Sequence, residues 1–446
     1  MIAFQTLFLG LVFGTGPVRV MVSPPVVAAE VLLDGAPIGT VTGEPWEVTC
    51  TFGPSPLPHE LVAIGRNAAG AEVGRARQWI NLPRPAAEVR ILVQDGAAGK
   101  PASARLAWTT IDNAKPRRFD VALDGTEIAV TDPEHIPLPH VDPTRPHFLS
   151  AEVTFPSVAA RAEIGFGGGA EASATTELTA IPVVVRPGHR MPPVDALQTS
   201  FRNDGRPLRV LAVEEGHTDA VVVFDQDCAQ RFRGITPPNA VSGALRREIP
   251  VQESRGGDRL YGMWAIPRPV QGTAGTGEVR GLFPFTIPLD TDVDDLRTLI
   301  FRFGFPKGEG RQQQLANAVA TAGMYATSLN HRRAVAVILG EAPPDASTIS
   351  VEAARAYLES IDVPLFVWTP ERRIAEMSLP GWGAPDDIST DLQLQGAMSR
   401  LQNALRAQRV VWLTGSHLPQ RVTLAPDVAD FFLARGVVRG GKAGRR

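Results

Sequence analysis

The stretch Asp219-Ala-Val-Val-Val-Phe-Asp-Gln-Asp-Cys-Ala229 decides how this chain is read. A continuous apolar run that stops at two carboxylates is how a parallel strand, buried on both faces, delivers acidic side chains to a sheet edge. In open α/β sheets, ligands and metals gather outside the carboxyl ends of such strands. Asp225 and Asp227 are therefore the first candidate site residues.

Downstream of this stretch, strands alternate with helical patterns. Leu315, Val319, Ala322 and Ala326 fall on one helical face, as do Val351, Ala354, Leu358 and Ile361, and again Leu394, Met398, Leu401 and Leu405. Between and after them lie the apolar runs Arg333–Leu339, Val363–Trp368 and Val410–Leu413. Ser350 is placed to N-cap the second of these helices, with Glu352 in its first turn. The alternation implies a parallel sheet with right-handed crossovers, a doubly wound α/β domain over residues 205–438. Pro187-Gly-His-Arg-Met-Pro-Pro193 reads as part of a linker over 187–204, and 439–446 as a tail.

Upstream, the first 185 residues or so read as all-β. Short alternating runs such as Trp46–Phe52 are punctuated by Asp-Gly, Gly-Glu-Pro and Gly-Pro turns, as in a β-sandwich. Leu33-Asp-Gly-Ala-Pro-Ile38 recurs about 90 residues later as Leu123-Asp-Gly-Thr-Glu-Ile128, and Pro58-His-Glu-Leu-Val-Ala63 as Pro146-His-Phe-Leu-Ser-Ala151. Two immunoglobulin-like sandwiches are expected, over 1–84 and 85–186, meeting near Asn81-Leu-Pro-Arg-Pro85. Met1–Phe13 has the length of a signal-peptide core but lacks a basic flank and a close cleavage site. It is too short to span a bilayer, and a first β-segment is the simpler reading.

The 446 residues need several cores, and 44% apolar with 20% charged residues is ordinary for folded protein. A net charge of −3 offers no basic field for nucleic acid or acidic lipid. Lys is confined to Lys100, Lys115, Lys307 and Lys442, so Arg carries most of the positive charge. Cys50 and Cys228 fall in different expected domains and read as buried apolar side chains.

The runs Ala220–Asp225, Arg333–Glu341 and Ala354–Trp368, behind the two Leu-Asp-Gly repeats and Trp79-Ile-Asn-Leu-Pro83, resemble bacterial proteins related to the von Willebrand factor type A (VWA) superfamily. The resemblance is closest to members that carry immunoglobulin-like sandwiches ahead of the VWA-like domain. It implies an adhesion-type metal site built from D-x-S-x-S after the first strand, a Thr in a later loop and a T-D-G after a middle strand, a hard oxygen cage for Mg²⁺ or Ca²⁺. Here the first Asp is Asp225, the two serine positions hold Asp227 and Ala229, and the T-D-G position reads Gly340-Glu341-Ala342. The Thr loop maps near Gly308–Gln312, where Arg311 stands and no Thr occurs. The metal candidates are therefore Asp225, Asp227 and Glu341, in a site that looks degenerate. The resemblance also implies an envelope or extracellular location.

Other constellations are weaker. His135, His140 and His147 with Asp142 suggest zinc, but His147 recurs as His59, which points to a repeated structural role. Asp290-Thr-Asp-Val-Asp-Asp295 opens like a calcium loop yet lacks the Gly and Glu that follow in that pattern, so a solvated turn leading into a strand is expected. Gly165-Phe-Gly-Gly-Gly169 opens no helix and has no Lys-Ser/Thr, so it fits a sandwich loop. Gly415-Ser-His417 lacks a nucleophile elbow. Trp46, Trp79, Trp108 and Trp368 read as core. Trp382, between two glycines, reads as core capping or, with Arg311, as part of a partner-binding rim.

The expected function is non-catalytic protein–protein binding or envelope scaffolding, with no resident cofactor and no membrane span. The alternatives are a metal-dependent adhesion protein using Mg²⁺ or Ca²⁺, and a metal-assisted hydrolase.

Overall fold

A computed structural model describes residues 2–6, 8, 10–83, 87–95, 101–110, 115–139, 141–142, 144–155, 159–167, 178–225, 232, 234–235, 258–267, 278–279, 283–286, 288–302, 312–340 and 345–436. Asp227, Ala229, Cys228, His140, Arg311, Glu341 and the tail 439–446 lie outside them.

The central element is a five-stranded parallel sheet in the order Arg259–Trp264, Thr218–Phe224, Arg332–Ile338, Leu365–Thr369, Asp386–Asp387. Every residue of Thr218–Phe224 is buried, the signature of a strand covered on both faces. The pleat sorts its side chains. Val221 and Val223 point with Val335, Val337 and Val367 into one apolar layer; Ala220, Val222 and Phe224 point with Ala336, Ile338, Phe366 and Trp368 into the other. Among the described residues five α-helices accompany the sheet: α1 (Val293–Arg302), α2 (Leu315–Ala326), α3 (Val351–Ser360), the single turn α4 (Arg372–Ala375) and α5 (Asp391–Ala407). Residues of α2 and α3 fill the first layer, and those of α1 and α5 the second. The three helical faces read from sequence are these contact faces, and Ser350 caps α3 by accepting the Ala353 N–H at 3.1 Å.

Helix α1 corrects one expectation. Asp290–Asp295 leads into a helix, not a strand: the Asp292 carboxylate accepts the Asp295 N–H at 2.7 Å, and the Asp295 carboxylate accepts the Asp290 N–H at 2.7 Å. These carboxylates start a helix, and Leu296, Leu299 and Ile300 bury its inner face.

Residues from Ile2 to Ile80 form a β-sandwich. One sheet holds Ile2–Phe4, Gly14–Val22 and Glu47–Gly53; the other holds Ala28–Leu33, Ala36–Val41, His59–Arg66 and Glu72–Ile80. The N-terminal segment is thus a paired strand, Ile2 opposite Val22. Cys50 is buried in this core, and burial pushes its thiol up to about 11. A second sandwich follows, with Ala87–Asp95, Pro101–Thr110 and Ile136–Pro137 facing Arg118–Leu123, Thr126–Ile128, Pro146–Thr154 and Ala159–Gly167.

A third β unit was not expected. Leu178–Val185, read as the end of the second sandwich, pairs antiparallel with Gln408–Thr414 and with Phe431–Leu433. Val210–Glu214 pairs with Gln408–Thr414 from the other side. The expected linker contains a strand, Phe201–Asn203, that pairs with Val422–Leu424. The run Val410–Leu413 therefore does not join the parallel sheet. Its strand closes a unit built from chain segments on both sides of the α/β portion, around Ile181, Val183, Phe201, Val411, Leu413 and Phe431.

Candidate functional site

In the parallel sheet the chain order of strands is second, first, third, fourth, fifth, so the winding reverses at Thr218–Phe224. The crevice between its carboxyl end and that of Arg332–Ile338 is where doubly wound sheets bind ligands. Asp225 lies there, 1% exposed. Its N–H donates to the Ile338 carbonyl at 3.0 Å, continuing the sheet ladder. Its Oδ2 accepts the Gly340 N–H at 2.9 Å. The carboxylate thus spans the crevice and ties the two strand ends together.

The neighbouring carboxylates are also committed. Asp387 accepts the Ser389 N–H at 2.8 Å and the Gln393 side-chain amide at 2.6 Å. Asp386 pairs with Arg400 at 3.1 Å. Asp345 takes the N–H groups of Leu315 and Ala316 at 2.8 and 3.2 Å, filling the anion position at the start of α2. Among the described residues, no three His, Cys, Asp or Glu stand together as metal ligands. Of the three metal candidates, Asp227 and Glu341 are outside the described residues. Asp225 brings one residue to a cage that for Ca²⁺ takes about six to eight oxygens.

Trp382 does not stand on the rim. It is 7% exposed and packs in the apolar layer of α2 and α3. The glycines on either side explain this: Gly381 and Gly383 adopt φ of 72° and 86°, and Leu379 and Gly383 exchange hydrogen bonds at 2.8 and 2.9 Å. This tight turn directs the indole inward, and the Arg355 guanidinium donates to the Gly381 carbonyl. A buried ring offers a partner no surface. The other rim residue, Arg311, is outside the described residues.

The histidine cluster is not assembled as a metal site. His135 is exposed, while His147 places Nδ1 2.7 Å from Asp124 and Nε2 2.9 Å from the Asp142 carbonyl. Both ring nitrogens are occupied. His417 is likewise held, with Nδ1 3.1 Å from the Asn203 amide and Nε2 2.9 Å from the Thr414 carbonyl. Trp368 is fully buried, as expected of core. Gly165 lies on a strand, where a Cβ would come within 2.5 Å of Leu211.

One feature had no sequence signal. A cleft of about 630 Å³ separates the second sandwich from strand Val210–Glu214, lined among others by Asp120, Glu127, Ser150, Leu211 and His217. Its deepest charges are paired: Glu214 accepts from Arg161 at 2.6 Å and from the Trp412 indole at 2.9 Å, and Glu152 from Arg259 at 2.6 Å. Its residues come from segments far apart in sequence, so no local motif could have announced it. Among the described residues, no helix is long and apolar enough to cross a membrane.

No protein-family model matches this sequence, and no curated protein matches it. Among solved structures, the fibronectin(III)-like modules of Clostridium thermocellum CbhA are 19% identical, over 18% of this chain and 93% of that one, with a TM-score of 0.17. The central fibronectin-III array of RIM-binding protein is 12% identical, over 45% of this chain and 81% of that one, at 0.19. The β-glucuronidase of Parabacteroides merdae is 12% identical, over 38% and 24%, at 0.17. TM-scores this low carry no argument about fold or function, and the sandwiches rest on their own strand pairing.

Proposed function

We propose that this chain is a non-catalytic binding or scaffold protein of the cell envelope or exterior. In this reading the parallel-sheet portion is a VWA-like domain whose metal site has been lost. The observation that carries it is the hydrogen bond from the Gly340 N–H to Asp225 at the switch-point crevice. A carboxylate whose Oδ2 takes a buried N–H to staple two strand ends already has a structural use, and loss of that bond would leave the N–H without its acceptor. Around this domain the chain builds three β units, an arrangement suited to presenting surfaces to a protein partner.

Calorimetric titration of the full chain with Mg²⁺, Mn²⁺ and Ca²⁺ tests the reading. The expected result is no binding tighter than millimolar, and partner capture from an envelope fraction that is the same with and without chelator. Tight binding lost in Asp225→Ala would replace this reading with metal-dependent adhesion.

A further inference from the structure

The junction between the second sandwich and the parallel sheet contains a buried histidine that belongs to neither site above. His331, 0% exposed, precedes strand Arg332–Ile338 at the amino-terminal edge of the sheet, opposite the Asp225 crevice. Its Nδ1 lies 2.8 Å from Asp219 Oδ2, at the start of the neighbouring strand. Its Nε2 lies 3.2 Å from Glu152 Oε2, on strand Pro146–Thr154 of the sandwich. Arg259, at the start of the third strand to meet here, holds the other Glu152 oxygen at 2.6 Å. A neutral imidazole has one N–H and one lone pair, so it can satisfy only one of two flanking carboxylates. The imidazolium hydrogen-bonds Asp219 and sets its charge against Glu152 as an ion pair, and with Arg259 it balances Asp219 and Glu152 charge for charge.

We propose that Glu152, His331 and Asp219 form a pH-responsive clasp, which holds the second sandwich on the parallel sheet while His331 carries two protons and loosens when it loses one. Nothing in this depends on whether a metal or a partner binds elsewhere.

The surrounding charges act in the same sense. Burial would lower the His331 pKa, but the charge and hydrogen bond of Asp219, with those of Glu152, overcome it and raise it above the ordinary histidine value. Burial would raise Glu152, but the bond and charge of His331, with Arg259, hold it well below the carboxylate range. His217 stands edge-on to His331 at 5.6 Å, and burial, then the His331 charge, lower its pKa, so it adds no competing cation near neutrality. On the sandwich side, burial pushes Glu163 up to about 7 despite Arg161, so its ionisation adds negative charge as pH rises. Arg161 also pairs with Glu214, while Arg333, Tyr261 and Tyr325 lie near Asp219 and Asp258 near His217. A raised folded-state pKa gives stability that is complete below the ordinary histidine value and is lost as pH climbs through the raised one. The clasp therefore tightens toward mild acid and opens toward alkali.

Hydrogen-exchange mass spectrometry of the full chain, from pH 5.5 to 9 with times scaled for intrinsic exchange, reads the clasp directly. Protection of Pro146–Thr154 and Thr218–Phe224 should fall about tenfold for each unit by which docking raises the histidine pKa, while α5 in the same molecule holds. His331→Gln should flatten that dependence. Should that variant not fold, Glu152→Gln decides: its junction protection in acid should match that of the unaltered chain in alkali. Junction protection that does not change with pH, or a fall shared equally by α5, overturns the proposal.

Discussion

Asp34 and His59 are joined Oδ2 to Nδ1 at 2.7 Å, and Asp124 and His147 repeat the bond at 2.7 Å in the next sandwich. Each Asp opens an Asp-Gly turn at positive φ, 54° and 50°. Each uses its second oxygen to accept the N–H of the residue after the histidine, Glu60 at 2.9 Å and Phe148 at 2.8 Å. Each histidine reaches on to a carbonyl, Phe52 at 3.0 Å and Asp142 at 2.9 Å. The sequence repeat is thus a repeated clamp that pins a hairpin turn to the adjoining long strand.

Breaking the clamp should destabilise its own sandwich. Asp34→Ala removes two hydrogen bonds involving a charged group and puts an unsuited residue at positive φ, for a loss of about 2–4 kcal/mol. Burial would raise the Asp34 pKa, but the His59 bond and the Glu60 N–H lower it below the ordinary value. A lowered folded-state pKa gives stability that is present above the unfolded carboxylate range and is lost as pH falls through the lowered value. Urea unfolding should therefore show a large difference between Asp34→Ala and the unaltered chain at pH 7 and a smaller one near pH 3. Equal differences would mean that the clamp acts through backbone strain alone.

Two glycines in the second sandwich share a backbone geometry but not an environment. Gly125 has φ of 80° with nothing within 4 Å of a would-be Cβ, whereas Gly167 has φ of 79° and its Cβ would stand 2.4 Å from the Arg145 carbonyl oxygen. Gly125→Ala should cost about 1 kcal/mol, from strain alone. Gly167→Ala adds a clash with backbone that cannot swing aside, and should cost at least 1–2 kcal/mol more. Thermal unfolding of the two variants side by side separates the terms.

The parallel strands and most helices were legible because burial writes a period into the sequence. Val410–Leu413 shows where this fails. Val411 and Leu413 face the core of the third β unit, while Val410 and Trp412 pack toward the second sandwich, with Trp412 5.3 Å from the Phe148 ring. Cover on both faces produces the same continuous apolar run in an antiparallel strand as in a parallel one. Its partner, Leu178–Val185, lies more than 200 residues upstream, beyond the reach of any local pattern. Helix α1 was hidden by its acidic start, although Asp292 at the cap and Leu296, Leu299 and Ile300 behind it were the signal. Trp382 was open between core and rim because flanking glycines also suit an exposed loop; here they permit the turn that buries it, as the core reading had it. Asp225 does follow the end of a buried parallel strand, but a carboxylate used as a staple looks the same in sequence as one that awaits a metal.

The cap on α3 gives a smaller and cleaner test. Ser350 has extended backbone and accepts the Ala353 N–H at 3.1 Å, and the opposite end of the helix is held by its own backbone. Ser350→Ala should lower stability by about 1 kcal/mol, and Ser350→Asp should restore it, because a carboxylate caps as well and also favours the helix N-terminus. Failure of Asp to restore stability would indicate that the loop, not the cap, fixes the start of α3.

Arg435 and Asp362 tie the third β unit to the end of α3. Asp362 is fully buried and receives the Arg435 guanidinium, which also donates to the Pro419 and Val422 carbonyls at 2.8 and 3.1 Å. Burial pushes the Asp362 pKa up to about 6, and the charge of Arg435, with that of Arg333, keeps it from rising further. Arg435→Ala should cost about 3–5 kcal/mol at pH 8, because it leaves a buried carboxylate without its closest counter-charge. The same variant at pH 5 should lose less. Without Arg435 the Asp362 value rises further, so the carboxyl is protonated at pH 5 and no buried charge is left bare. A raised folded-state pKa means stability declines as pH climbs through it, and the variant should decline more steeply than the unaltered chain. Urea unfolding at pH 5 and pH 8 measures the difference, and an equal loss at both would show that Arg435 contributes through its carbonyl contacts, not through Asp362.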